Sequence, residues 1–463
     1  MIMKGRGTMK HIKIAYIGGG SRLWARGLMS DLALTDDLTG EVALYDIDID
    51  AAIQNQKLGT YLMHHKDSKG HFTFTVAYSL EEALSKADFV FISILPATFD
   101  EMESYVHHPE LYGIYQPVGD TAGPAGIFRS LIMMPIYKEF AEAIKLHAPQ
   151  AWVINFTNPM TMCVQMLYYV FPKIKAFGNC HEVSHVQDIL KRALFEETGI
   201  EADKKDIQIN PMGINHFTWI NYASYQDLDL MPIYEQFAYK YQEIGAYGEI
   251  IDHMYPFGSG ERVKLDLFLK HQMIAAAGDR HLVEFLPNSP YTQSKESVKD
   301  WKFFLTPVSF RVQMKERANL SARNIIDGLE DIKLTPTSEE GVDQIRALLG
   351  IKPLMTNVNM PNYGQIPNLP LGHVVETNAF FRKDDVRPIY AGEITGFANE
   401  ITQKHILIHQ KMIQAFDQRD LSIAKEALYL DPLSSHVDTK RLNQMFDEIV
   451  EKIKPYLTYY DKK

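Results

Sequence analysis

Short apolar runs alternating with amphipathic stretches, a glycine cluster directly after the first run and an acidic residue closing the second predict an α/β chain opening with a doubly wound parallel sheet. Residues 12–17, 41–45, 72–77, 88–95, 151–156 and 174–178 read as six strands, enough for a Rossmann-type sheet. Between the first two, Trp24, Leu28 and Leu32 recur at helical spacing. Ser79-Leu80-Glu81-Glu82 carries the capping-box pattern that opens a helix ahead of the fourth. After about Thr198 the rhythm changes to runs at 207–212 and 217–222, followed by long helical stretches rich in His, Tyr and Met. The chain is therefore expected to divide into a dinucleotide-binding half, residues 11–198, and an α+β half, residues 199–463. No Gly/Ser linker separates the halves, so a site built by both is expected.

The 463 residues, 46% hydrophobic, 23% charged and 11% aromatic, have an ordinary globular composition without low-complexity tracts. A formal net charge of -11 argues against nucleic acid as the main partner, because phosphate binding relies on a clustered positive surface. It leaves small anionic substrates open. Two cysteines, Cys163 and Cys180, make no disulfide framework and fit a reducing compartment, with the cytoplasm as the expected location. No uncharged run approaches membrane-spanning length, and the residues before His11 read as a loose leader without the apolar core of a signal peptide.

The first strand runs into Gly18-Gly19-Gly20-Ser21-Arg22-Leu23-Trp24, where missing Cβ atoms let a pyrophosphate approach the backbone at a helix N-terminus. Leu23 stands where the dinucleotide fingerprint has its third glycine, so a plain strand-to-helix turn is the competing reading. Asp46, closing the second strand, is placed to accept hydrogen bonds from a ribose diol and favours NAD over NADP; its alternative role is a helix N-cap.

Four further segments carry polar groups that a plain dehydrogenase core does not require. They are Gly119-Asp120-Thr121-Ala122-Gly123-Pro124-Ala125-Gly126, Asn155-Phe156-Thr157-Asn158-Pro159, Asn179-Cys180-His181-Glu182-Val183 and Gly213-Ile214-Asn215-His216-Phe217-Thr218-Trp219. The second and third follow predicted strands at the edge where open α/β sheets bind ligands, with Asn155 on the cofactor side. Cys180 and His216 together offer one thiolate and one imidazole to a divalent cation, leaving positions open for substrate oxygens. Taken singly, each has a plainer reading: a buried thiol, a core histidine, and turn residues at Asp120 and Asn158.

In this order after the glycine turn, the four segments resemble glycoside hydrolase family 4. The resemblance spans most of the chain and extends to Gly278-Asp279-Arg280-His281-Leu282-Val283-Glu284-Phe285-Leu286-Pro287 and to Asn362-Tyr363-Gly364-Gln365-Ile366-Pro367-Asn368-Leu369-Pro370. It implies an architecture like that of lactate and malate dehydrogenases, and a glycosidase that departs from the usual carboxylate pair by using NAD. The implied reaction oxidises the sugar at C3, which acidifies the C2 proton. The C1 group is then eliminated, water adds, and the hydride returns to C3. A divalent metal, Mn²⁺ first and Co²⁺, Ni²⁺ or Fe²⁺ as softer alternatives, is implied on the C2 and C3 oxygens, held by Cys180 and His216. Asp120 and Asn158 match positions that hold the sugar near the cofactor, and Gly18, Gly20, Ser21, Asp46 and Asn155 fall to the cofactor. The tyrosine base of the family's 6-phospho-β-glucosidases has no counterpart here. Asp279 is the first expectation for C2 deprotonation and His281 the second, with Glu284 as a direct participant or a supporting partner.

Cys180-His181-Glu182-Val183 resembles the family's α-galacturonidase subgroup, and Arg129, Arg280, His181, Glu182 and His281 are the expected surroundings of a uronate. The plainer alternative has His181 packing and Glu182 capping the next helix. Other α-glycosidases of the family, on glucosides, galactosides or glucuronides, stay open. So do an NAD-dependent hydroxy-acid dehydrogenase and a silent NAD-binding sensor. The expected partner is a small, anionic oligosaccharide or glycoside, and the resemblance implies a homodimer or homotetramer.

Overall fold

The structure, a computed structural model, describes residues 9–248, 256–337 and 339–461; of the expected leader, residues 1–8 lie outside them. Strands β1 (Lys10–Ile17), β2 (Leu38–Tyr45), β3 (His71–Ala77), β4 (Phe89–Ile92), β5 (Trp152–Asn155) and β6 (Lys175–Gly178) pair in parallel in the order β3-β2-β1-β4-β5-β6. This is the doubly wound order, which reverses between β1 and β4 and opens a ligand crevice at their C-terminal ends. All six expected strands are present. The fourth is shorter than its apolar run, because beyond Ile92 the Ile94 N–H donates to Thr157 Oγ1 (3.0 Å) instead of to a strand. Ser79 caps Leu80–Leu84 by accepting from Glu82 N, but the Glu82 carboxylate turns to Tyr78 N (2.8 Å) rather than closing the box on Ser79.

Why these runs form strands is visible in what each face meets. Ile12, Ile14 and Tyr16 pack with Leu28, Leu32, Phe91 and Ile345, while Ala15 and Ile17 pack with Val90, Leu131, Tyr137, Phe416 and Phe446 on the other face. A parallel sheet covered on both sides needs apolar residues at every position. Phe416 and Phe446 come from the late helices Gly396–Gln418 and Thr439–Ile453, so the end of the chain returns to cover the first sheet half.

The second half adds β7 (Ile207–Ile214), β8 (Phe217–Tyr225), β9 (Leu228–Asp229), β10 (Ile274–Ala275), β11 (Leu354–Pro361), β12 (Val374–Arg382) and β13 (Asp385–Pro388). β11 joins β6 antiparallel, with Asn359 opposite Gly178, and β12 links β11 to β7, so one 13-stranded sheet runs through the described residues. The change of rhythm near Thr198 marks the end of the Glu182–Thr198 helix at left-handed Gly199, not a break in the sheet. Among the described residues no helix is long and apolar enough to cross a membrane.

Candidate active site

The glycine turn is built by close approach. Gly18 N and Gly19 N both donate to Tyr45 O (2.8 Å each), folding the turn back on β2. Gly18 sits at φ 90°, and a Cβ there would lie 2.0 Å from Ser93 O, so no side chain fits. Asp46 accepts from Gly20 N (2.8 Å) through Oδ2 and from Asp48 N (2.9 Å) through Oδ1. The N-cap alternative falls to Asp48, which accepts from Ala51 N at the head of Ile49–Met63. Asn55, fully buried and not anticipated from sequence, clamps the turn by donating to Gly19 O and Ser21 O (2.8 and 2.9 Å). The Trp24–Ala33 helix that follows has no side-chain cap and no acidic residue in its first turn, leaving its N-terminal N–H groups for an anion. Leu23, in place of the third glycine, does no harm because it is 71% exposed rather than wedged between helix and sheet.

The second constellation forms where the two halves meet. β7 and β8 are joined by the two-residue turn Asn215-His216, with His216 at φ 63°, a left-handed conformation costing a non-glycine residue roughly 1–3 kcal/mol. His216 Nδ1 lies 2.9 Å from Thr121 Oγ1, which donates to Asp120 Oδ1 (2.7 Å). The His281 ring packs against that of His216, tilted by 35° with centroids 3.8 Å apart. Asp120, His216 and His281 bring one ligand atom each within 4.8 Å of one another. Burial lowers His216 to about 3, aided by His281, and burial also lowers His281, so both imidazoles are neutral near neutral pH. Asp120 stays ionised. Burial pushes its carboxyl up, but His281, His216, Arg129 and the Thr121 hydroxyl together bring it well below the usual carboxylate range.

Around this trio, Asn158 donates to Asp120 Oδ2 (3.2 Å), and its carbonyl accepts from Arg129 Nε (2.9 Å). Cys180 is buried, and burial, then Glu376 and Glu182, raise its thiol well above the ordinary value. Its sulfur forms no metal-sized group of three with other His, Cys, Asp or Glu ligands among the described residues. Both polar side-chain atoms of Asn215 and Oδ1 of Asn158 are buried without a hydrogen bond. Glu182 accepts from Gly278 N (2.7 Å), and His281, His216 and His181 outweigh burial to hold its carboxyl at about 2. His181 leans outward, its Nδ1 3.2 Å from Glu339 and its ring against Trp24.

Three expected site residues have other duties. Asp279, the first expectation for the base, is fully buried with both oxygens committed, accepting from Val263 N and Lys264 N (2.9 Å each) at the head of Arg262–His271. A carboxylate that caps a neighbouring helix is not aimed at a substrate proton, and His281 alone of the pair joins the trio. Arg280 donates to the carbonyls of Pro117 (2.8 Å), Phe304 (3.3 Å) and Phe257 (3.4 Å) and to the Thr306 hydroxyl, so its guanidinium is a backbone clamp. Asn155 bonds inward, accepting from the Tyr137 hydroxyl and donating to Thr157 O (2.9 Å), and so shapes the turn that carries Asn158.

Two side chains tether the Asp120 loop: Glu284, in the supporting role the sequence left open, and Arg311, which no sequence pattern marks. Glu284 Oε1 accepts from Val118 N and Gly119 N (2.6 and 2.8 Å), while its Oε2 is buried without a partner. Burial raises this carboxyl to about 8, so it is protonated at neutral pH. Arg311, on Val308–Ile326, donates from Nη2 to Val118 O (3.1 Å).

Residues 13–196 match the model for family 4 glycosyl hydrolases, and residues 211–434 match that for the family's C-terminal domain. The chain is 49% identical over 454 residues to an α-galacturonidase of Thermoanaerobacterium saccharolyticum, covering 97% of each protein. It superposes on the crystal structure of a Bacillus subtilis protein described as the putative glucosidase lplD with TM-score 0.90 and 45% identity, covering 95% of this chain and all of that one. A 6-phospho-α-glucosidase from gut microorganisms, solved in complex with NAD and Mn²⁺, shares the fold at TM-score 0.80 and 19% identity over 96% of this chain and 99% of that one.

Proposed function

The chain belongs to glycosyl hydrolase family 4, and on that premise we propose that it is an α-galacturonidase that works with NAD⁺ and a divalent metal, Mn²⁺ in the first instance. The observation that carries the reading is the near-full-length identity to an α-galacturonidase. The uncapped helix after Gly18-Gly19-Gly20 and the Asp46 carboxylate at the end of β2 fit a dinucleotide. The buried, unpartnered Asn215 amide and the neutral His216 imidazole grouped with Asp120 and His281 fit a metal and the sugar oxygens it would meet. Both cysteines are free and buried, which supports a reducing, cytoplasmic setting.

A bound NAD⁺ would supply reversible hydride transfer at C3, and a bound metal would supply Lewis acidity that makes the C2 proton easier to remove. His216 and Cys180 are assigned as ligands. Cys180 must lose its proton to bind, because burial holds it as the thiol. His281 is assigned as the C2 base in preference to Asp279: it is neutral, belongs to the trio, and its Nδ1 is buried without a hydrogen bond. Asp120 and Asn158, bonded to each other, receive sugar hydroxyls, and Arg129 holds the Asn158 carbonyl in place.

The test is a substrate panel with NAD⁺ and Mn²⁺ under reducing conditions. An α-1,4-digalacturonide is expected to be cleaved faster than a neutral α-galactoside or a 6-phosphorylated α-glucoside. Faster cleavage of either of the latter overturns the substrate assignment.

A further inference from the structure

We infer that Arg311 is the residue that recognises the C6 carboxylate of the substrate, with Arg129 beside it and Arg280 confined to a structural role. This rests on the α-galacturonidase reading and adds to it a specificity-determining side chain. Three arginines converge on the Asp120 corner, and among the described residues none forms an ion pair with a carboxylate, unlike Arg22, Arg192, Arg262, Arg346 and Arg382 elsewhere. Buried guanidiniums are normally paired, because desolvating an uncompensated charge is costly. Arg280 satisfies its donors on carbonyls and a hydroxyl. Arg311 does not: Nη2 reaches Val118 O, but Nε is buried without an acceptor.

The setting of Arg311 suits an anion. Through Val118, two residues before Asp120, it borders the same corner as the proposed sugar site, and Asp120, Arg129, Glu284 and Tyr105 act on its charge. Burial, and behind it the neighbouring Arg129, outweigh the support of the ionised Asp120 and disfavour its charge, a penalty that a bound carboxylate relieves. Glu284, protonated at neutral pH, offers no compensating charge. Orientation is set on the other side: the Phe257 ring carries the Arg311 guanidinium at 5.4 Å and that of Arg280 at 5.3 Å. A planar fork held by a carbonyl and an aromatic face, with one buried N–H left over, suits a planar carboxylate.

The experiment compares the wild type with Arg311→Met and Arg311→Lys on an α-galacturonide and on the matching neutral α-galactoside, alongside melting temperature and calorimetric binding of galacturonate and galactose. The expected result is a roughly ten- to a hundredfold loss of kcat/KM for the galacturonide in R311M, carried by KM. Neutral-substrate activity should fall clearly less, by the shared loss of the Val118 tether alone, and galacturonate binding should weaken more than galactose binding. R311K should recover part of the loss, since it restores charge without the fork. Equal losses on both substrates, or an unchanged uronide preference in R311K and R311M, overturn the assignment. If R311M does not fold, the calorimetric comparison in R311K decides: undiminished galacturonate binding there overturns it. A wild type that does not prefer the uronide tells against the α-galacturonidase reading, a result separable from the variants because it is read without them.

Discussion

Thr121 Oγ1 lies between Asp120 Oδ1 (2.7 Å) and His216 Nδ1 (2.9 Å). A hydroxyl has one hydrogen, and it goes to the carboxylate, so the contact to His216 is made by the imidazole N–H. His216 is thereby fixed as the Nδ1–H tautomer with its Nε2 lone pair available to a metal. Thr121→Val should weaken Mn²⁺ binding about 10- to 100-fold while leaving NAD⁺ affinity unchanged, as read by calorimetry on the inactive mixture without substrate. Unchanged metal affinity in T121V removes the relay from the account.

Asp279 and His281 separate by readout. His281→Ala is expected to lower kcat by roughly 10²- to 10⁴-fold with a melting temperature near that of the wild type, because it removes the proposed base. Asp279→Asn is expected to cost roughly 1–3 kcal/mol of stability and only a few-fold in kcat, because it disturbs two buried N–H bonds at a helix head. The opposite pattern restores Asp279 as the base.

Glu284 gives a pH signature. Its folded-state carboxyl titrates at about 8 rather than the ordinary 4.5, so between those values the folded protein holds a proton that the unfolded chain has released. That contribution is fully present below about 4.5 and is lost as pH rises through 8. Buried histidines such as His216 act in the opposite sense, but only below 6.5, where the unfolded chain becomes charged. From pH 6.5 to 8, Glu284→Gln should therefore flatten the fall of stability by about 1.4 kcal/mol per pH unit, one proton's worth. Chemical denaturation at several pH values measures it, and parallel curves for the two proteins contradict it.

Gly18→Ala should fold poorly or bind no NAD⁺, since the added Cβ meets Ser93 O at 2.0 Å in a backbone conformation that side chains rarely adopt. The NAD⁺-dependent rise in melting temperature is the readout, and a wild-type rise in G18A shows that the turn has room the structure does not show.

What was legible in the sequence followed from local physics. The central strands β4 and β5, buried on both faces, leave short apolar runs, the edge strand β3 leaves an alternating one, and Gly18 and Asp46 belong to one short unit, so the first six strands and the glycine turn are readable. The Asp120, Cys180 and His216 segments were recognisable as blocks, yet their mutual arrangement was not. Thr121 and His216 are 95 positions apart, Glu284 and Val118 166, and Arg311 and Val118 193. Arg280 lies within a recognisable block that suggests a substrate ligand, but its donors go to backbone carbonyls and the Thr306 hydroxyl. Arg311 lies in a polar helix with no pattern to mark it, and only the fold brings it to Asp120.

The central claim, hydrolysis through reversible oxidation at C3, is tested most directly by incubating the enzyme with α-1,4-digalacturonate, Mn²⁺ and NAD⁺ well below the substrate concentration, while following released galacturonate and NADH absorbance together. The account predicts many galacturonates released per NAD⁺ with no accumulation of NADH, because the hydride returns to the same carbon in each turnover. One NADH formed per substrate consumed, or undiminished hydrolysis after NAD⁺ is removed, would contradict it.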